Sequence, residues 1–240
     1  MNKRFNYYTE VKIWEADEKG FAKLSSIFNY LQQASIMHAH IIGAGLFYLM
    51  QQNLTWVLSS IKLEIVSFPL WEEKLTVETS CRGLNRIYYI RDFVIKNASG
   101  QTLVNATSEW LLLNTINRRP QRPELVPLDN FFTQDLMKIE KIEPKYKELP
   151  YSVSCKRHLV QWSDLDVNNH VNNARYVDWV VDCLRDNNID TSKICSFQMH
   201  FINELKHDEI ISLNFFKRDN LNCIGFLKEN QIFQSKIILN

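Results

Sequence analysis

The chain has 240 residues, 45% hydrophobic and 23% charged, which is enough for one large or two modest domains with a real core. Its net charge of +1 argues against a dedicated nucleic-acid binder, and no apolar run approaches the ~20 residues that span a bilayer, so no membrane insertion is expected. The cysteines Cys81, Cys155, Cys183, Cys195 and Cys223 are odd in number and scattered, with no C-x-x-C pair, which points to reduced thiols in a cytoplasmic protein rather than a disulfide framework or a zinc site.

The start, Met1 to Asn6, moves into polar and aromatic residues without a signal-peptide stretch. Ile27, Tyr30, Leu31, Ala34, Met37, His38 and Ile41 recur at helical spacing and predict a helix over Ser25 to Ile42, capped by Ser25 or Ser26 and ended by Gly43 and Gly45. From Trp56 to Phe68, Val57, Ser59, Ile61, Leu63 and Ile65 alternate with Ser60, Lys62 and Glu64, as in a half-buried strand. Strands are also expected over 74–82, 86–96 and 101–113, the last two joined by the turn Asn97-Ala98-Ser99-Gly100.

Prolines 120, 123, 127, 144 and 150, with Arg118, Arg119 and Arg122, then mark a linker over 118–150 that crosses the surface. Beyond it the order repeats: a strand over 156–162, a helix over 173–185, and strands over 196–204, 209–216, 223–227 and 232–239. Trp14-Glu15-Ala16-Asp17 echoes Trp162-Ser163-Asp164-Leu165, each shortly before a helix. The chain therefore reads as a duplicated α+β unit, each half a sheet around one apolar helix, with halves at 1–117 and 151–240.

The chemistry is concentrated in Leu165-Asp166-Val167-Asn168-Asn169-His170-Val171-Asn172-Asn173, just before the second helix. In an extended loop Asp166, Asn168 and His170 project to one side, toward a helix N-terminus whose dipole favours negative charge. Asn168 and His170 can donate hydrogen bonds to an oxygen that gains charge during attack, and Asp166 can orient one of them. Asn172 or Asn173 reads as the helix cap. The first half, aligned as Glu18 to Ser25 against Asp166 to Asn173, lacks the Asn and His. No G-x-S-x-G elbow, P-loop or G-x-G-x-x-G occurs, and His38 and His40 point apart on their helix, which makes them a poor metal pair.

The segment from Leu165 to Asn173, with Tyr176 following, resembles the active-site segment of plant and bacterial acyl–acyl carrier protein (ACP) thioesterases. Leu24 to His38 resembles that family's first helix. Arg91-Asp92-Phe93, and Ser108-Glu109-Trp110 with Asn114 and Arg118-Arg119, resemble its later first-half strands. The resemblance implies a tandem hot-dog fold, one active site per chain, and no metal or organic cofactor. It implies hydrolysis of acyl chains carried on the phosphopantetheine of an acyl carrier protein, and leaves a homodimer open. It places a water-activating carboxylate on Glu204, beside Asp166, Asn168 and His170. Plant members carry a cysteine next to that glutamate; here the position is Leu205, so water attack is expected rather than a cysteine nucleophile. The first half would shape the acyl pocket, with Met37, Ile41, Trp56 and Leu58 as lining or simply core residues. Arg118, Arg119 and Arg122, with Arg82 and Arg86, form a candidate docking patch for the acidic carrier. An acyl-coenzyme A thioesterase and a non-catalytic acyl sensor on the same fold are the alternatives.

Overall fold

The computed structural model describes residues 3–146, 153–217 and 220–240; Met1, Asn2 and Pro150 lie outside the described residues. The chain divides into two compact units. One comprises residues 1–23 and 29–142, the other residues 24–28 and 143–240.

The first unit holds β1 (Arg4–Glu10), most of α1 (Leu24–Ile41), a short α2 (Leu46–Met50), β2 (Leu54–Ile65), β3 (Lys74–Asn85), β4 (Tyr88–Asn97) and β5 (Thr102–Asn114). Its strands run β1-β3-β4-β5-β2, all neighbours antiparallel. Leu31 and Ala34 of α1 and Leu63, Val77, Ile95, Val104 and Leu112 of the sheet form its core, each 1% exposed or less. Asn97 builds the β4–β5 turn: its side-chain oxygen accepts the Gln101 N–H at 3.0 Å, and Gly100 takes the left-handed φ of 83°.

The second unit repeats the order with β6 (Val153–Leu159), α3 (Asn173–Asp186), β7 (Ile194–Phe201), β8 (Ile210–Lys217), β9 (Leu221–Leu227) and β10 (Asn230–Leu239). These strands run β7-β10-β9-β8-β6, again antiparallel. Tyr176, Val177, Val180, Cys183 and Leu184 of α3 are buried as their helical spacing predicts. The Tyr176 ring meets Trp179, Phe201 and Phe233 edge-on, at 5.2 to 5.8 Å between centroids.

Several expectations change on contact with the fold. Neither Ser25 nor Ser26 caps α1; both are buried and the cap is Lys23 without a side-chain bond. Met37 and Ile41 are exposed rather than packed. In β2 a bulge between Leu58 and Ser60 shifts the alternation by one step, so Ser60 turns inward to Glu109 and becomes fully buried. The proline-rich stretch after β5 is packed rather than merely laid on the surface. Val126, Leu128, Leu136 and Ile139 are buried, each worth roughly 1.5–3 kcal/mol of apolar burial. The Tyr89 hydroxyl reaches the carbonyls of Pro123 at 2.7 Å and Val126 at 2.8 Å. Cys81, Cys195 and Cys223 carry free thiols, but Cys183 is disulfide-bonded, against the expectation of reduced thiols throughout. Among the described residues no helix is long and apolar enough to cross a membrane.

Candidate functional site

The loop before α3 is a tight turn, not the extended segment that alternation predicts. The Asp166 N–H donates to the His170 carbonyl at 2.8 Å, the Asn169 N–H donates to the Asp166 carbonyl at 3.0 Å, and Asn169 takes φ of 61°. The Asp166 side chain accepts the Asn168 backbone N–H at 2.8 Å and faces the Asn168 amide nitrogen at 3.4 Å. Asn172 caps α3 by accepting the Ala174 N–H at 2.9 Å.

A second loop, following β7, is fastened to the first by one backbone bond: the Val171 N–H donates to the Leu205 carbonyl at 3.0 Å. Leu205 is fully buried, and the buried Tyr176 hydroxyl hydrogen-bonds its backbone from below. Burial, with Glu204 and other carboxylates nearby, holds the Tyr176 phenol far above its ordinary range, so it stays protonated. Clamping residues 171 and 205 brings their neighbours together: His170 Nε2 lies 3.2 Å from Glu204 Oε2. Both side chains are partly exposed. Glu204 therefore sits just beyond the end of β7 rather than within the strand expected over 196–204.

The structure thus brings His170 to Glu204, and Asn168 to Asp166. Asp166 meets His170 through backbone only. Asn168 lies on the turn just before α3, with its amide nitrogen facing the Asp166 carboxylate.

The first unit reproduces this turn bond for bond without its chemistry. Asp17 N–H to Phe21 O (2.7 Å) mirrors Asp166 to His170. Gly20 N–H to Asp17 O (3.0 Å) mirrors Asn169 to Asp166. Lys23 N–H to Glu15 O (2.8 Å) mirrors Asn172 to Asp164, where the bond is 2.9 Å. The Asp17 carboxylate accepts the Lys19 N–H at 2.9 Å, as Asp166 accepts that of Asn168. Ala22 N–H to Pro69 O (2.7 Å) mirrors the Val171–Leu205 clamp. Lys19, Phe21 and Phe68 therefore stand where the second unit has Asn168, His170 and Glu204. The sequence echo of Trp14 with Trp162 is out of step by one residue, for the structural counterpart of Trp162 is Ile13.

An aspartate closes this turn in both halves, at 17 and 166, whereas Asn168, His170 and Glu204 have no chemical counterparts in the first half. Sequence reading missed the residue at the base of the turn, Asp164, which is 7% exposed. Its carboxylate accepts the Gln161 N–H at 2.9 Å and lies 3.0 Å from His158 Nε2. The available signal was Glu15, whose carboxylate accepts the Lys12 N–H at 2.8 Å in the same place.

An apolar cleft lies in the first unit, lined among others by Ile36, Ala39, Trp56, Tyr89, Arg91 and Trp110. Of Met37, Ile41, Trp56 and Leu58, Trp56 lines this cleft and the other three do not. Arg82, expected in a docking patch, is instead bound to Asp92 and to the carbonyls of Ile139 and Glu140.

Comparison with known proteins follows the same division. Residues 2–126 match the acyl-ACP thioesterase N-terminal domain and residues 147–236 the C-terminal domain of that family. The chain is 28% identical over 237 residues to oleoyl-acyl carrier protein thioesterase 2, chloroplastic, of Arabidopsis thaliana, covering 88% of this chain and 63% of that protein. It is 25% identical to the palmitoyl-acyl carrier protein thioesterase of the same plant, covering 86% and 53%. The chain thus spans roughly half to two-thirds of the length of these relatives. Among solved structures, an acyl-ACP thioesterase from Bacteroides thetaiotaomicron superposes with a TM-score of 0.88 at 23% identity, covering 100% and 98% of the two chains. The 12:0-ACP thioesterase from Umbellularia californica gives 0.85 at 22% identity, with the same coverage. At these identities the likeness shows the fold, a tandem hot-dog.

Proposed function

The chain belongs to the acyl-ACP thioesterase family, and from that premise we propose that it hydrolyses fatty acyl-ACP thioesters to free fatty acid and carrier, ending chain elongation. The observation that carries the reading is the His170–Glu204 pair, 3.2 Å apart, in the half that matches the family's C-terminal domain.

In this reading Glu204 takes a proton from water and the oxygen attacks the thioester carbonyl carbon. Asn168 and the α3 dipole stabilise the oxyanion, and His170 holds the Glu204 carboxylate and the water in line. Collapse breaks the C–S bond, and the proton on Glu204 passes to the leaving thiolate. Asp166 builds the turn that presents Asn168. No step uses a metal or an organic cofactor. In this reading the first half shapes the acyl pocket, and its apolar cleft is the candidate acyl site. Domain limits at 1–117 and 151–240 remain our division, with 118–142 packed as an extension of the first half. The carrier's acidic surface docks on Arg86, Arg118, Arg119 and Arg122, while Arg82 is withdrawn from that patch by its internal bonds.

The test is free-thiol release from a panel of acyl-ACPs and matching acyl-coenzyme A esters, with His170→Ala alongside. Rapid release from acyl-ACP, lost in the variant, is expected. Preference for the coenzyme A esters changes the substrate, and tight acyl binding without release from either overturns the enzyme reading.

A further inference from the structure

The two copies of the turn differ in one supporting bond. At its base each copy places a carboxylate that closes the loop: Glu15 in the first unit, Asp164 in the second. Each accepts the backbone N–H three residues earlier, and the same residue's carbonyl receives the N–H of the residue that caps the helix.

In the first unit this carboxylate is also held from the helix, by the Tyr30 hydroxyl at 2.8 Å. The position equivalent to Tyr30 on α3 is Trp179, which has no hydroxyl to offer. In the second unit the missing donor comes from the sheet. His158, on β6, lies with its ring 4.3 Å from that of Trp179 and its Nε2 3.0 Å from the Asp164 carboxylate. Arg175 Nε, at 3.9 Å from the other Asp164 oxygen, is too distant for a hydrogen bond, so it is a weaker second hold.

We propose that His158 is a positioning residue for the thioesterase site, acting through Asp164; the inference rests on the hydrolytic reading above. Asp164 spans the loop from its start to Asn172, and His170 and Asn168 lie between those two points. Losing the His158 bond leaves a buried carboxylate with one donor fewer, and the loop can settle into a slightly different seat. Placement then suffers at His170, whose imidazole must reach Glu204 across a second loop. A misplacement of 1 Å at a reacting group costs on the order of 10²-fold in rate, while binding of the acyl chain in the first unit is untouched. The first unit is the internal control, since its carboxylate is held by Tyr30 instead and it has no His170 or Glu204 to position.

The experiment compares His158→Phe, which keeps a ring against Trp179 but removes the donor, with His158→Gln, which restores an N–H, and with Tyr30→Phe. Thiol release from acyl-ACP gives kcat and KM, and thermal unfolding gives stability. His158→Phe is expected to lower kcat roughly ten-fold or more with KM within about two-fold, in line with that placement cost. His158→Gln is expected to recover most of the loss, and Tyr30→Phe to lower the unfolding temperature with kcat unchanged. If His158→Phe does not fold, His158→Asn, whose shorter amide stops short of Asp164, takes its place with the same expectation. A folded donor-free variant with wild-type kcat, or a loss that Gln does not recover, overturns the proposal. A wild-type protein that releases no thiol overturns the hydrolytic reading and this inference with it, whereas an active wild type with an inactive His170→Ala and an unaffected His158→Phe overturns this inference alone.

Discussion

Gly20 and Asn169 hold the same turn position in the two halves, and both take a left-handed backbone, with φ of 82° and 61°. The position demands positive φ because the residues on either side close the turn with backbone bonds. Glycine meets that demand without strain, and asparagine is the side chain that tolerates it best.

Replacing Gly20 with Ala therefore tests backbone strain alone, because a Cβ there meets nothing within 4 Å. A loss of about 1–2 kcal/mol is expected in urea unfolding, with thiol release unchanged. Asn169→Gly should keep both stability and activity, while Asn169→Val should lose activity along with stability, because the same turn carries Asn168 and His170.

The His170–Glu204 pair predicts that Glu204→Gln and His170→Ala each lower kcat by about 10²–10⁴-fold with unfolding temperature nearly unchanged, since both side chains are partly exposed. The double variant should fall little below the worse single one, because the two groups act as one unit. Phe21→His in the first half should create no activity, for its partner position holds Phe68.

Ala39 borders the apolar cleft of the first unit, beside Trp56 and Trp110. Ala39→Phe puts a ring into that space and should move chain preference toward shorter acyl groups. Release from short-chain acyl-ACP should persist while release from long chains drops at least ten-fold, read across the same substrate panel. Equal losses at every length would exclude the cleft as the acyl site.

His200 gives a pH prediction with a definite sign. Burial pushes its pKa down to about 4, with Lys145 adding to the effect, against the pull of the Glu143 carbonyl at 2.9 Å. The unfolded chain takes up the proton near 6.5 and the folded chain only near 4, so stability is full above 6.5 and falls as pH drops toward 4. The loss amounts to about 3 kcal/mol across that window. Urea unfolding of wild type and His200→Gln between pH 4 and 7 should converge at the acid end, with the wild-type slope missing from the variant.

Most of the element order was legible from the residues, because burial of one face is written as period. The spacing over 173–185 gave α3 nearly to its ends, and Asn97 to Gly100 gave the β4–β5 turn. Where the periodicity broke, the reading broke with it. At the β2 bulge one extra residue turned Ser60 inward, an event set by pairing with β5. The packed stretch from Val126 to Ile139 was hidden by its prolines and charges, which describe the path of the backbone but not what its apolar residues bury against.

The sequence by itself determined that the chain is two like halves and that only the second keeps an Asn and a His before its helix. These are facts of residue identity and local spacing; that Leu205 stands where plant members carry a cysteine came from the family resemblance. Only the tertiary structure decided that Asp166 and Asp17 close the same turn in the two halves, that His170 meets Glu204, and that His158 lies within hydrogen-bond reach of Asp164. Those relations join residues on separate strands and loops through single hydrogen bonds, such as Val171 to Leu205. Such bonds leave no period in the sequence, because either partner is fixed by a backbone amide or carbonyl that every residue carries.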